Sequence, residues 1–274
     1  MSQALAPTPA TASPTLLRIF MAAQRAEWTK LRTVRSTIWA LIFTVISTVG
    51  LGILLTALEV SRWDHRTVTE ATGFDPLLYS FAGINLAQLS IGVLGVLVMT
   101  SEYATGTITL TLGATPQRRL LLAAKVTTFS FVVAVVSLVS CTSAFFICQA
   151  LLAPKHAGVS ITDPGAARAV LGATAHLVLI AAIAIGAGAA LRRTAGAVAV
   201  LFAVLLIVPG LVTLLPSPWN DEITRYLPSS AGVAMSAVIR FPNLLTPAGG
   251  LLVLCGYMAA ALLLAAFCLV RRDA

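Results

Sequence analysis

AVLGATAHLVLIAAIAIGAGAALRRTAGAVAVLFAVLLIVPG, residues 169–210, carries only two charges, Arg192 and Arg193. The charge-free runs on either side, 169–191 and 194–220, are each longer than the roughly 20 residues a helix needs to cross a bilayer core. A charge at mid-membrane costs about 2.5–3.5 kcal/mol, whereas a leucine returns only a few tenths. The turn is too short to join anything but antiparallel neighbours. This stretch reads as two membrane spans forming a helical hairpin.

Working outward, four more charge-free runs appear: 36–58, 76–101, 126–154 and 241–270. The 274-residue chain is 58% hydrophobic and only 10% charged, with mean hydropathy +0.94. So few charges cannot cover a globular surface in water. Spanning strands would need segments of about 10 residues with alternating polarity, which are absent. The expected fold is all-α and integral to the membrane, with spans at about 37–58, 77–100, 125–150, 168–191, 195–215 and 248–270.

Basic residues set the orientation. Twelve of the 18 fall on one side: Arg18, Arg25, Lys30, Arg32, Arg35, Arg118, Arg119, Lys125, Arg192, Arg193, Arg271 and Arg272. Most of the acidic residues fall on the other. Both termini are therefore expected in the cytoplasm, with the protein multi-pass in the plasma membrane. The net charge of +8 reads as this bias plus attraction to anionic lipid headgroups. It does not suggest nucleic acid, because no basic patch is interleaved with aromatic residues.

Residues 1–15 are rich in Ala, Pro and Thr and read as a disordered cytoplasmic tail ahead of a single transmembrane domain, 16–274. Residues 16–35 suit a helix lying in the headgroup plane. Its Leu17, Phe20, Met21, Trp28 and Leu31 share a face; Trp28, Lys30 and Arg32 are its interfacial candidates. Ala182/Gly186 and Ala184/Gly188 are small-residue pairs that let helices approach closely. Pro209-Gly210 should kink or end the fifth span. Residues 226–239 are uncharged but too short to span, which fits a re-entrant or interfacial element on the outer face before the last span. Asn85, Gln88 and His176 could line a polar path or serve as interhelical glue, as could Gln149. The four cysteines lie within spans without metal-binding or disulfide spacing.

There is no P-loop, no H-E-x-x-H and no G-x-S-x-G. No acid stands inside the six runs to relay protons, which argues against a stand-alone ion-coupled carrier or channel. The segment between the second and third spans is the informative one: SEYATGTITLTLGATPQRRLLLAAK, residues 101–125. Its alternating Ile108, Leu110 and Leu112 resemble a strand, but a lone strand at a membrane surface leaves its backbone unpaired. A short helix at the headgroup level is physically easier.

This segment resembles the cytoplasmic loop of type 2 ATP-binding-cassette (ABC) exporter permeases, especially actinobacterial ones. AEWTKLRTVRSTIW, residues 26–39, resembles their amphipathic helix, and Tyr226-Leu227-Pro228 their extracellular segment. The resemblance implies a permease subunit without catalytic or cofactor sites of its own. It implies pairing with a second permease, copy or paralogue, and docking onto two ATPase subunits that bind ATP and Mg. Glu102, Gly106, Thr107, Ile108, Pro116, Arg118, Arg119 and Lys125 would then form the ATPase-coupling loop. Arg118 and Arg119 suit either acidic residues of an ATPase or lipid headgroups, and Glu102 either coupling or a solvated place at the interface. A membrane scaffold without transport activity is the remaining alternative.

Overall fold

The computed structural model describes residues 15–67, 73–107, 113, 117–239 and 241–271. Helices dominate it, and no strand occurs among the described residues. In chain order they are α1 (Leu16–Thr33), α2 (Arg35–Arg62), α3 (Pro76–Ser80), α4 (Ile84–Ala104), α5 (Arg118–Leu152) and α6 (Ala166–Leu191). They continue with α7 (Thr194–Val212), α8 (Trp219–Thr224), α9 (Pro228–Ser236) and α10 (Pro247–Arg271). Six of them, α2, α4, α5, α6, α7 and α10, are long and apolar enough to cross a membrane. The protein is an α-helical integral membrane protein of six spans. The face where α1 lies, with the ends of α4, α6 and α10, is called here the near face, and the opposite one the far face.

The fourth, fifth and sixth spans begin and end close to the expected positions, and the first runs on to Arg62. The second does not begin near residue 77: the short α3 occupies that stretch, capped by Asp75, and the span itself starts at Ile84. The third starts at Arg118 rather than near residue 125, so both arginines and Lys125 stand on α5 itself. The middle of the proposed coupling loop, including Ile108 and Pro116, lies outside the described residues, as does the N-terminal tail 1–14.

Helix α6 is the hub. It is buried over 78% of its apolar stretch, against 22% for α2, α7 and α10, and it packs on α4, α5, α7, α9 and α10. Its small residues explain why. A Cβ on Gly186 would stand 2.9 Å from Ala261 of α10, and one on Gly188 would stand 3.0 Å from the Val96 carbonyl of α4. Each close approach brings whole backbones into van der Waals contact, which is how helices adhere in lipid.

Helix α2 is apolar on the outside and polar within. Trp39, Phe43, Ile46 and Leu54 are exposed, while Thr37, Thr44, Ser47, Thr48, Gly52 and Thr56 are buried. Short side chains let it lie close against α4 and α5. Where lipid surrounds the bundle, this inverted pattern is the stable one, because apolar residues lose nothing by facing hydrocarbon.

On the far face, the buried Asp75 and the exposed Arg168 fix the end of α9. Asp75 caps α3, with its Oδ1 accepting from the Leu77 amide at 2.9 Å. Its Oδ2 accepts from the amides of Val238 and Ile239 at 2.8 and 2.9 Å. Arg168 of α6 donates to the carbonyls of Met235 and Ala237 at 2.9 and 2.7 Å. A cation on the last carbonyls of a helix and an anion on the amides beyond satisfy groups that the helix end leaves orphaned. Gln149 joins the same layer, accepting from the Val159 amide and donating to Ser80.

From that anchor α9 runs inward, antiparallel to α6: Met235 lies beside Gly172 and Gly232 beside His176. A re-entrant or interfacial element was expected at 226–239, and the course of α9 along α6 is that of the re-entrant form. The 18-residue α1 also matches its expected range, with one side packed on the bundle. Ala23, Glu27 and Leu31 turn inward, while Leu17, Met21 and Trp28 are exposed.

Two glycines of α2 separate packing from propensity. A Cβ on Gly52 would overlap the Ser80 carbonyl, whereas one on Gly50 meets nothing. Gly52→Ala should lower stability by about 1–3 kcal/mol through overpacking. Gly50→Ala should leave it unchanged or slightly raised, as read from thermal unfolding of the purified protein in detergent.

Candidate functional site

The charges framing the 101–125 segment are gathered by the fold into a buried cluster. Glu102 sits in the last turn of α4 and Lys125 in the second turn of α5. Glu27 and Lys30 come from α1. Lys125 Nζ donates to Glu102 Oε1 at 2.6 Å and to Glu27 Oε2 at 2.9 Å. Lys30 Nζ donates to the same Glu102 oxygen at 2.6 Å and to Glu27 Oε1 at 3.0 Å. Two cations thus face two anions, and three helices are tied at one point.

Burial grades these contacts. The Lys125 side chain is 0% exposed, those of Glu27 and Glu102 4% and 8%, and that of Lys30 45%. An ammonium as deeply buried as Lys125 is tolerated only because both carboxylates touch it. At Lys30, burial works against the charged form, but the hydrogen bonds it donates to Glu102 and Glu27, with their negative charge, outweigh it and hold the ammonium above the ordinary lysine range. A raised pKa in the folded state means the Lys30 contribution is intact at neutral pH. It fades only as the solution is made alkaline beyond that ordinary range.

Glu102 is therefore not a solvated carboxylate at the interface, and Lys125 is not a free loop cation. Gly106 has φ +70, the left-handed conformation that lets the chain leave α4, and Thr107 shares a 2.9 Å hydroxyl contact with Thr105. Arg118 donates to the Leu269 carbonyl in the last turn of α10 at 2.6 Å. Arg192 donates to the neighbouring Cys268 carbonyl at 3.3 Å and lies over the Tyr103 ring. Arg119 and Arg32 are exposed, and Trp28 sits 6.5 Å from the Phe131 ring. Among the described residues, no group of His, Cys, Asp or Glu could hold a metal ion.

The polar candidates within the spans divide. Asn85 is exposed and donates to Ala82 within its own turn. Gln88 and His176 meet, Nε2 of the histidine being 3.0 Å from Gln88 Oε1. The chain of contacts continues: Gln88 Nε2 donates to Ser229 Oγ at 3.5 Å, and Ser229 donates to the Leu205 carbonyl at 3.2 Å. Its origin is Pro209, which has no N–H for the carbonyl four residues before it. Helix α7 does not end there; it passes through a π-helical turn, Ala203–Ile207, and resumes.

Direction follows from donor count. The single Ser229 proton goes to Leu205, so Ser229 accepts from the Gln88 amide, and Gln88 Oε1 must accept from His176 Nε2–H. Ser229, Glu27 and Arg192 are the participants that sequence reasoning did not single out. For Glu27 a signal existed, because it is the lone acid in a basic helix.

Two tests separate these sites. Lys125→Met leaves two buried carboxylates short of a partner and should cost about 3–5 kcal/mol. Lys30→Met, half exposed, should cost no more than about 1 kcal/mol. Both are read by denaturant unfolding in mild detergent. At the second site, Ser229→Ala should cost about 0.6 kcal/mol and no more than about 1.7 kcal/mol. That cost should shrink toward zero in a Pro209→Ala background, where α7 supplies its own N–H, as a double-mutant cycle would measure.

Comparison with protein-family models finds no match, and comparison with curated proteins finds none either.

Proposed function

We propose that this chain is the permease subunit of an ATP-driven exporter of the ABC type, moved by separate ATPase subunits that dock on its near face. That face would be cytoplasmic. The observation that supports this most is the ion cluster of Glu27, Lys30, Glu102 and Lys125. Work delivered at a membrane surface reaches the spans only through elements that do not yield. The segment after Gly106 leaves from α4 one turn beyond Glu102 and rejoins the bundle at α5, about two turns before Lys125. A push on it therefore acts on two spans and α1 as one body. Through Arg118 and the Leu269 carbonyl, the last span shares the displacement.

The resemblance of residues 26–39 and 101–125 to type 2 exporter permeases supports the same reading. So does the placement of charge: the acids and bases stand at the ends of the spans, and the middle holds only neutral polar groups. Such a chain lacks a relay for protons. Energy would come from ATP and Mg bound by the partner, and a second permease would complete the pathway. With Arg118 engaged on α10, Arg119 is the arginine placed to meet acidic residues of an ATPase.

Affinity purification of the tagged chain from its native membrane should recover a soluble P-loop ATPase. Arg119→Glu should weaken recovery several-fold while Arg119→Lys preserves it. Transport by the chain reconstituted alone, or recovery indifferent to Arg119→Glu, would refute the reading.

A further inference from the structure

Helices α7 and α10 both pack on α6 but scarcely touch each other. Between them runs a groove of about 370 Å³. Its floor is made of small residues, Gly186, Ala187, Ala260 and Ala261, and its rims include Val200 and Leu264, both about half exposed. Along α6 it extends from Ile180 to Leu191, which at the helical rise is about 16 Å. A bilayer core is about 30 Å thick, so the groove is one leaflet deep. It begins at the near face.

The lining decides the class of occupant: it is apolar almost throughout, and the groove lies open along its length between two spans. Water does not fill an apolar cavity, and an empty one forfeits the dispersion contacts of its lining. A single hydrocarbon chain meets both conditions. At the near-face end, the α6–α7 turn presents exposed Arg193 and α10 finishes at exposed Arg271. Charges of this sign at headgroup level favour an anionic lipid.

We infer that the α6–α7–α10 groove is a binding site for an anionic glycerophospholipid of the near-face leaflet, with one acyl chain in the groove and its phosphate at Arg193 and Arg271. The inference does not depend on the exporter reading. Bound there, the lipid fills the gap that α7 and α10 leave and holds the two spans at a fixed spacing.

The full chain is reconstituted into phosphatidylcholine nanodiscs carrying a photoreactive lipid with a diazirine in its tail. The headgroup is phosphatidylglycerol in one arm and phosphatidylcholine in the other, and cross-linked peptides are mapped by mass spectrometry. The phosphatidylglycerol probe should label α6 and α10 around the groove several-fold more than the exposed face of α2 near Ile46. Ala187→Phe combined with Ala260→Phe should remove groove labelling and leave α2 labelling intact. Arg193→Gln with Arg271→Gln should bring the two headgroups to parity. Uniform labelling of all lipid-facing helices, equal labelling by both headgroups in the unaltered chain, or cross-linking of the groove to a second copy would overturn the inference. Should the double phenylalanine variant fail to fold, the arginine pair and the unaltered chain decide alone.

Discussion

A helix already surrounded by hydrocarbon gains nothing by exchanging one apolar neighbour for another, so the hydrophobic effect cannot assemble this bundle. Two other forces must. The first is dispersion at close range, and the small residues of α6 supply it by admitting α4 and α10 to backbone contact. The second is the need of every polar group in a dry medium for a partner. It accounts for Asp75 and Arg168 at the end of α9, for the chain from His176 to Leu205, and for the four ions at the near face. The outward apolar face of α2 follows from the same constraint.

How much of this was legible depends on range. The six spans were readable because each is a local property, a run without charge. The re-entrant α9 was readable from its length, and the close packing of α6 from its glycines and alanines. The ion cluster was not. Glu102 and Lys125 stand immediately outside charge-free runs, where a solvated residue would stand too, and their partners on α1, Lys30 and Glu27, are 72 and 98 positions away. The side of α1 that packs on the bundle was not legible either: Leu17, Met21 and Trp28 stay exposed, and Ala23, Glu27 and Leu31 make the contact. Arg118 was ambiguous for a similar reason. No local pattern announces that a guanidinium will cap a helix some 150 residues further on.

The π-helical turn of α7 illustrates how one residue recruits others. Proline removes a donor, the helix shifts its bonding over one turn, and a carbonyl becomes available to a side chain from α9. The serine that takes it becomes an acceptor in turn, which orients a glutamine and sets the tautomer of a histidine two helices away. Pro209-Gly210 was expected to kink or end the span; the helix instead passes through a π-helical turn just before it and continues, and the consequence is a polar connection among four helices.

The near-face ions lie at the tips of their helices, and that location bears on how the protein is made. Each span can enter the lipid bilayer one at a time with its carboxylate or ammonium still in the aqueous layer, since none has to be dragged through hydrocarbon. Sequestration from water comes afterwards, when α1 swings in and all four groups find each other together. A helix synthesised first thus completes its docking only after the third span has emerged, so the amino-terminal segment acts as a late clasp on a hairpin already in place.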